Sequence, residues 1–394
     1  MKVLQINTFG NLSTGKIAVD IYRTLRARGH EGAVAYARNE VPGDVPSFKI
    51  GNSLSVYTDG VLTRLTDKAG HYSKGATEKL IKQIKEYDPD IIHLHNLHGY
   101  YINVPMLFDF LKDAGKPVVW TLHDCWAYTG HCCYYSMAGC EKWKLTGCSK
   151  CPQKKAYPAS IFKDNSSKNF SEKNQMFHSV KNLHLVCVSK WLDNELKESF
   201  LKDLPSRVIY NGIDTSVFKP SSGNFRIKYN VGDKRIVLGV ASTWDTRKGL
   251  EDFIELSKIL DERYKIVLVG LNDKQKAKLP DNMIGIGRTD GPKELAEIYS
   301  ASNVLFNASV EETFGLPNVE ALACGTPVVA YNCTGIPETM TEDDGFIVEP
   351  HDLQSVAQKI GEICDAGKRI EVSSFRFSKD KTYEAYMKLY EELV

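Results

Sequence analysis

Strand-length apolar runs alternate along this chain with longer stretches whose apolar positions recur every three or four residues. In the first half, KVLQINT, GAVAYA, DIIHLH, PVVWTLH and HLVCVS have strand length and composition. TGKIAVDIYRTLRARGH and ATEKLIKQIKEY carry helical spacing between them, and Gly29 suits the end of the first helix. Near residue 207 the pattern breaks into the turn-rich SRVIYNGIDTSVFKPSSGNFR, which includes Pro220 and reads as a linker. Alternation then resumes: RIVLGVAS, YKIVLVG, MIGIG, NVLFNAS, TPVVAYN and GFIVEP read as strands, and KGLEDFIELSKILDER and KELAEIYSAS as helices. The pattern predicts an α/β fold with parallel sheets, built as two similar open domains over residues 1–206 and 207–375. Residues 376–394 read as a closing amphipathic helix whose stripe of Tyr383, Tyr386 and Tyr390 suits packing. Ligands of such sheets bind outside the carboxyl ends of the strands, so a cleft between the domains is the expected site.

Composition narrows the classes. The 394 residues suit two or three domains, and 42% hydrophobic with 25% charged residues is ordinary for a globular protein. A formal net charge of +1 gives no reason to expect a nucleic-acid partner. MKVLQINTFG runs straight into a strand with no visible secretory signal, and no apolar run reaches the roughly 18 residues of a spanning helix. The cytoplasm is therefore the expected location, with any membrane contact peripheral, at the inner face.

Two stretches carry candidate chemistry. Gly10 to Lys16 fits G-x-x-x-x-G-K between a strand and a helix, as in a phosphate-binding P-loop. The next residue is Ile17, which lacks the hydroxyl that such a loop gives to Mg²⁺. A second reading needs only Gly15 and its neighbours to bring backbone close to a phosphate or an acceptor, with Lys16 either a contact or a solvated helix residue. The other stretch is SVEETFGLPNVEALACGTPVVAY, residues 309–331. A strand ends near Ser309, and Pro317 and Gly325 bracket a short helix. Amides near Phe314, Gly315 and Leu316 would form an anion site beside Glu312, with Glu320 on the helix and Glu311 read as a solvated turn residue.

The E-x7-E spacing of Glu312 and Glu320 within EETFGLPNVEALACGTPVV closely resembles the signature of the retaining glycosyltransferases of family 4. RARGHE, YNGIDTSVFKP, TRKGLEDFI and the final helix resemble further landmarks of that family. The resemblance implies the GT-B fold: two Rossmann-like domains facing across a cleft, with the last helix crossing back onto the first. It implies that Glu312 faces the donor sugar, that Glu320 binds the nucleotide ribose, and that Gly315 and Leu316 meet the diphosphate. Lys248, with Arg247 beside it, would neutralise the leaving diphosphate. Thr243 departs from the family, which usually carries Arg there; Arg247 can substitute for it. His123, at a strand end in VVWTLHDCW, matches a position near the donor sugar, with Asp124 a weaker candidate. His93, His95 and His98 are read as cleft lining or structural.

Six of the ten cysteines lie between Cys125 and Cys151. Cys148-x-x-Cys151 with Cys140 and Cys132 (or Cys133) could bind a structural zinc; packed thiols or two disulfides are the alternatives. This excursion, about residues 125–158, also mixes five lysines (Lys142, Lys144, Lys150, Lys154 and Lys155) with Trp143, Tyr134 and Tyr135, which suits an interfacial contact, a phosphorylated lipid acceptor or a plain solvated loop. Its sequence resembles a subgroup of bacterial transferases that build surface polysaccharides. The resulting expectation is a hexose-type transfer from a UDP- or GDP-linked donor to a saccharide or lipid-linked acceptor, with no catalytic cofactor. The rivals are a nucleotide-sugar 2-epimerase of similar fold, a P-loop NTPase, and a non-catalytic carbohydrate-binding protein.

Overall fold

A computed structural model describes residues 1–371 and 375–394 and divides the chain into two compact units, Met1–Ile209 with Tyr383–Val394, and Tyr210–Thr382. In the first, strands β1 (Lys2–Phe9), β2 (Glu31–Arg38), β3 (Ser47–Lys49), β4 (Ile91–Leu94), β5 (Val118–Leu122), β6 (Leu183–Cys187) and β7 (Ser206–Val208) form one sheet in the order β3-β2-β1-β4-β5-β6-β7. In the second, β8 (Arg235–Val240), β9 (Tyr264–Val269), β10 (Met283–Ile286), β11 (Val304–Asn307), β12 (Val328–Tyr331) and β13 (Gly345–Val348) run β10-β9-β8-β11-β12-β13. Every strand pair is parallel. Each order is the doubly wound 3-2-1-4-5-6 arrangement, with an added edge strand in the first unit. The order reverses between β1 and β4 and between β8 and β11, the places where such sheets open a crevice.

The strands are largely apolar because helices cover both faces; the middle of β1, Val3 to Thr8, is buried throughout, its polar Gln5, Asn7 and Thr8 included. In the second unit the ring of Phe253, from the helix Leu250–Ile259, packs 4.9 Å from Phe306 of β11. Two strands differ from the sequence reading, which also leaves the helices Ser53–Thr66, Val104–Ala114, Ser166–His178, Lys190–Lys197 and Leu353–Asp365 unread. Ser206–Val208, read as the start of a linker, pairs with β6 as an edge strand. β3, only three residues long, carries no detectable alternation.

The glycines of the first strand-to-helix loop have a steric role. A Cβ on Gly15 would lie 2.5 Å from the Phe9 carbonyl oxygen, and one on Gly10 would lie 2.2 Å from that of Asn39. The chain passes too close to itself there for any side chain. Lys16 points to solvent as an exposed residue of the helix Thr14–Ala27.

The final helix, Lys379–Leu393, sends Tyr383, Tyr386, Met387 and Tyr390 into a core with Val3, Ile21, Ile91 and Val186. Its aromatic stripe is therefore packing. Tyr390 Oη lies 2.6 Å from His93 Nδ1, His93 Nε2 lies 2.8 Å from Thr121 Oγ1, and Thr121 bonds Tyr386 Oη at 3.0 Å. His93 is structural, and burial pushes its pKa down to about 3.

Two outcomes follow from this buried contact. Tyr386→Ala should cost about 3–5 kcal/mol and Tyr390→Phe, which strands one nitrogen of His93, about 1–3 kcal/mol in urea unfolding. Values under about 0.5 kcal/mol would mean that the helix is not held this way. His93 takes up no proton in the folded state until about pH 3, whereas the unfolded chain protonates it near its ordinary 6.5. Its contribution is complete above pH 6.5 and shrinks as pH falls toward 3, by at most about 1.4 kcal/mol per pH unit; His93→Gln should flatten that slope.

Candidate active site

The loop after β8 is built to hold a cation. Trp244 anchors it by donating from Nε1 to the Val269 carbonyl at 2.9 Å, and Gln275 bonds the Trp244 carbonyl at 2.8 Å. Asp245 then caps the short turn Thr246–Lys248, accepting the Arg247 amide at 3.0 Å and its guanidinium at 2.9 Å. Gly249 follows at φ 70°, where a Cβ would sit 2.5 Å from the Ala308 carbonyl oxygen. That close approach brings the loop against the exit of β11, where the Val310 amide bonds the Arg247 carbonyl at 2.9 Å.

Lys248 and Glu312 meet there as an ion pair, each side chain only 16% exposed. Burial and the neighbouring Arg247 bring the Lys248 ammonium down to about 8, with Asp245 opposing. The ammonium is thus charged near neutrality but poorly hydrated, the state in which a charge interacts most strongly with a ligand. Glu312 is fixed through its backbone: its amide donates to Thr334 Oγ1 at 2.9 Å, and the Gly335 amide donates to its carbonyl at 3.0 Å.

The helix expected from Pro317 spans Leu316–Ala323, with Gly315 at its N-cap. Its first turn is clamped by Asn307 and Thr339, which bond the Asn318 side chain at 2.8 and 2.9 Å. Phe314 is buried and packs on Tyr210 and Phe377, so only its backbone faces the turn's interior. Glu320 is half-buried and accepts a 2.9 Å bond from Tyr299, whose phenol burial and that carboxylate hold well above its usual pKa. Glu311 departs from the reading as a solvated turn residue: it is 1% exposed. Val310 and Cys333 pack nearby in the core, and the turn folds its first carboxylate inward. Arg247, Lys248, Glu312, Gly315, Leu316 and Glu320 thus all lie on the loops and helix that follow β8 and β11, the strands at the reversal of the second sheet.

In the first unit, His123 follows β5. Its Nε2 lies 3.1 Å from His95 Nδ1, and His95 Nε2 lies 3.1 Å from Gln5 Oε1. Gln5 Nε2 donates to the Ala18 carbonyl at 2.6 Å, so its oxygen must accept. His95 then donates from Nε2 and accepts at Nδ1, which makes His123 donate from Nε2 and leaves its Nδ1 as an acceptor. Burial lowers His123 to about 4, reinforced by His98 and opposed by Asp124, and burial also lowers His95 well below its ordinary value. Both rings are neutral at physiological pH. Asp124 binds His98 Nε2 at 2.8 Å and the Trp126 amide at 2.9 Å; those contacts outweigh its burial and hold its pKa below the usual range.

The cysteine excursion is partly assembled. Cys132 and Cys151 are free thiols joined by a hydrogen bond from Cys132 to Cys151, and Cys148 Sγ accepts the Gly130 amide at 3.2 Å. Among the described residues, no three of Cys132, Cys140, Cys148 and Cys151 bring their sulfurs within 4.8 Å of one another; the group that meets that separation is His98, Asp124 and Cys133. Tyr135 and Trp143, read as suiting an interfacial contact, a lipid acceptor or a solvated loop, are instead buried with Tyr128, the rings of Tyr128 and Tyr135 lying 4.9 and 4.8 Å from that of Trp143. Lys144 is engaged by Glu195 at 3.0 Å.

Several supporting residues escaped the sequence reading. Asp245 carries a local capping signal, two residues before the amide it accepts. Tyr299, Thr334 and Gln5 carry none, because their partners lie 13 to 90 residues away.

Among the described residues, no helix is long and apolar enough to cross a membrane. Residues 221–372 match the family of glycosyl transferases group 1, and residues 14–217 match glycosyltransferase family 4. A colanic acid biosynthesis glycosyl transferase, WcaC of Escherichia coli, whose assignment is itself marked putative, is 26% identical over 77% of this chain and 77% of its own length. The D-inositol 3-phosphate glycosyltransferase of Acidothermus cellulolyticus is 26% identical over 47% of this chain. The chain spans about half the length of that relative, 48%. Among solved structures, Anabaena Alr3699/HepE in complex with UDP and glucose superposes with a TM-score of 0.70 at 18% identity, covering 100% of both chains. Sucrose-phosphate synthase from Thermosynechococcus elongatus does so with a TM-score of 0.71 at 18% identity, over 100% of this chain and 99% of its own. These likenesses show the GT-B fold. With the family 4 match spanning more than half of its residues, the chain belongs to glycosyltransferase family 4.

Proposed function

We propose that the chain is a retaining glycosyltransferase that moves a hexose-type sugar from a nucleotide-diphosphate donor, UDP-linked in preference to GDP-linked, to a saccharide or lipid-linked acceptor in polysaccharide biosynthesis. The observation that carries this reading is the half-buried Lys248–Glu312 pair, held where β8 and β11 diverge. The UDP and UDP-glucose bound in Alr3699/HepE, and the polysaccharide role in the name of the Escherichia coli relative, support it.

Breaking a sugar–phosphate bond places negative charge on the departing oxygen. Lys248, backed by Arg247 and by the amides of Gly315 and Leu316, supplies preorganised positive charge for it. Glu312 faces the donor sugar, and Glu320 accepts the ribose hydroxyls while Tyr299 holds it. His123, with Nδ1 as an acceptor, takes a hydrogen bond from a sugar hydroxyl. Retention suits a front-face displacement in which the leaving phosphate takes the acceptor's proton, so no separate base and no catalytic metal is required. A structural zinc in the excursion would leave this chemistry unchanged, and contact with a membrane would be peripheral.

The direct test is thermal melting with UDP, GDP and ATP, each with and without Mg²⁺. Stabilisation by UDP or GDP without metal is expected; stabilisation by ATP with Mg²⁺ alone would overturn the reading. Glu320→Ala removes the ribose acceptor and should weaken nucleotide binding by about 1–3 kcal/mol in calorimetry; unchanged affinity removes Glu320 from the site. Lys248→Ala should lower kcat about 10²–10³-fold, the loss seen for a preorganised oxyanion partner. Raising pH through about 8 discharges Lys248, so kcat/KM for the donor should fall on the alkaline side, and Lys248→Arg should move that limb upward.

A further inference from the structure

A second candidate site lies in the first unit, beyond the carboxyl ends of β2 and β3. It is a cavity of about 520 Å³ lined by Arg38, Lys49, Tyr57, Gly60, Arg64 and Tyr100. Arg38 and Arg64 flank the Tyr100 ring, their guanidinium carbons 5.9 and 5.5 Å from its centroid. Each makes one bond to a carbonyl, of Gly99 at 2.9 Å and of Gly60 at 3.0 Å. Among the described residues neither has a carboxylate partner within 4.0 Å, although Lys49 is paired with the exposed Glu40 at 2.8 Å. Two buried polar atoms here make no hydrogen bond in the protein: Arg38 Nε and the hydroxyl of Tyr100, a residue only 5% exposed. Asp59, buried on the helix Ser53–Thr66, is the carboxylate whose charge reaches Arg38, but it forms no ion pair with it, and orphaned buried donors are expensive unless an acceptor joins them.

The cavity borders an apolar stripe. On the helix Ser53–Thr66, Leu54, Tyr57, Val61 and Leu65 follow at intervals of three and four residues and are 36% to 72% exposed. The Ile161 amide bonds the Arg64 carbonyl at 2.8 Å, which places the exposed Ile161 and Phe162 beside the end of that helix. Tyr57 belongs to both the stripe and the cavity wall. A phosphate held by guanidinium groups next to a run of exposed aliphatic and aromatic groups describes one chemical class, an amphiphile with an anionic phosphate head.

We propose that Arg38, Arg64 and Tyr100 bind the phosphate or diphosphate head of a membrane-borne lipid, with Leu54, Tyr57, Val61 and Phe162 against the leaflet. This deepens the transferase reading, since it gives a place to a lipid-linked acceptor. The test is flotation of the full chain with vesicles of phosphatidylcholine, alone or carrying phosphatidic acid. Binding to the phosphatidic acid vesicles only is expected, with a loss of tenfold or more in Arg64→Gln and, separately, in the pair Leu54→Ser and Tyr57→Ser, all folded by circular dichroism. Inorganic pyrophosphate is the competing source of the same chemistry. Protection of the protein by pyrophosphate without flotation overturns the lipid assignment, and flotation that ignores both variants overturns the site. Titration of UDP into the same samples separates the two readings: UDP binding without flotation sinks this inference alone, and flotation without UDP binding sinks the transferase reading instead.

Discussion

Strand polarity is the constraint on which the rest of the structure depends. Every strand pair is parallel, so each sheet gathers the carboxyl ends of all its strands along one edge. The loops leaving that edge cannot satisfy one another by hairpin pairing, and they take up whatever polar contacts their side chains allow. At the reversal between β8 and β11, two such loops turn away to opposite sides. The space between them is where Lys248 and Glu312 are brought together. The reversal in the first unit, between β1 and β4, is occupied by the Gln5–His95–His123 chain.

These two crevices handle burial in opposite ways. In the first unit desolvation strips the protons from the imidazoles, and a fixed order of donors and acceptors results, set by one amide on the Ala18 carbonyl. In the second unit burial lowers Lys248 only to about 8, so it stays charged at neutrality beside Glu312. Neutral, oriented imidazoles suit hydroxyl groups, whereas a dehydrated ammonium suits phosphate. The two crevices therefore differ in the ligand chemistry they favour, although their strand orders are the same.

Legibility from sequence followed the range of the interactions. Apolar runs marked β1, β2 and β8 well, because strands buried on both faces are largely apolar. The short edge strands β3 and β7 have one neighbour each and little burial, so their sequences hold almost no signal. The Glu312 and Glu320 spacing was readable because it lies within a single turn and helix. What holds those carboxylates was not: Tyr299 and Thr334 come from other loops, and only the folded sheet makes them neighbours. Glu311 shows the limit most clearly. Next to Glu312 in sequence and identical in chemistry, it is turned into the core while Glu312 faces Lys248.

The Lys248–Glu312 pair also sets what a ligand must do on arrival. A half-buried pair gains little net energy over its hydrated, separated state, because the cost of desolvation cancels most of the attraction. Removing one partner alone, however, leaves the other charge dehydrated and unpaired. A diphosphate that draws Lys248 toward itself therefore frees the Glu312 carboxylate next to the ligand, and that carboxylate needs a new donor. The hydroxyl groups of a sugar attached to the same diphosphate supply one. On the proposed reading the pair would couple the two halves of a nucleotide sugar: a bare diphosphate would take the lysine but leave the glutamate unsatisfied, and only the intact sugar diphosphate would satisfy both.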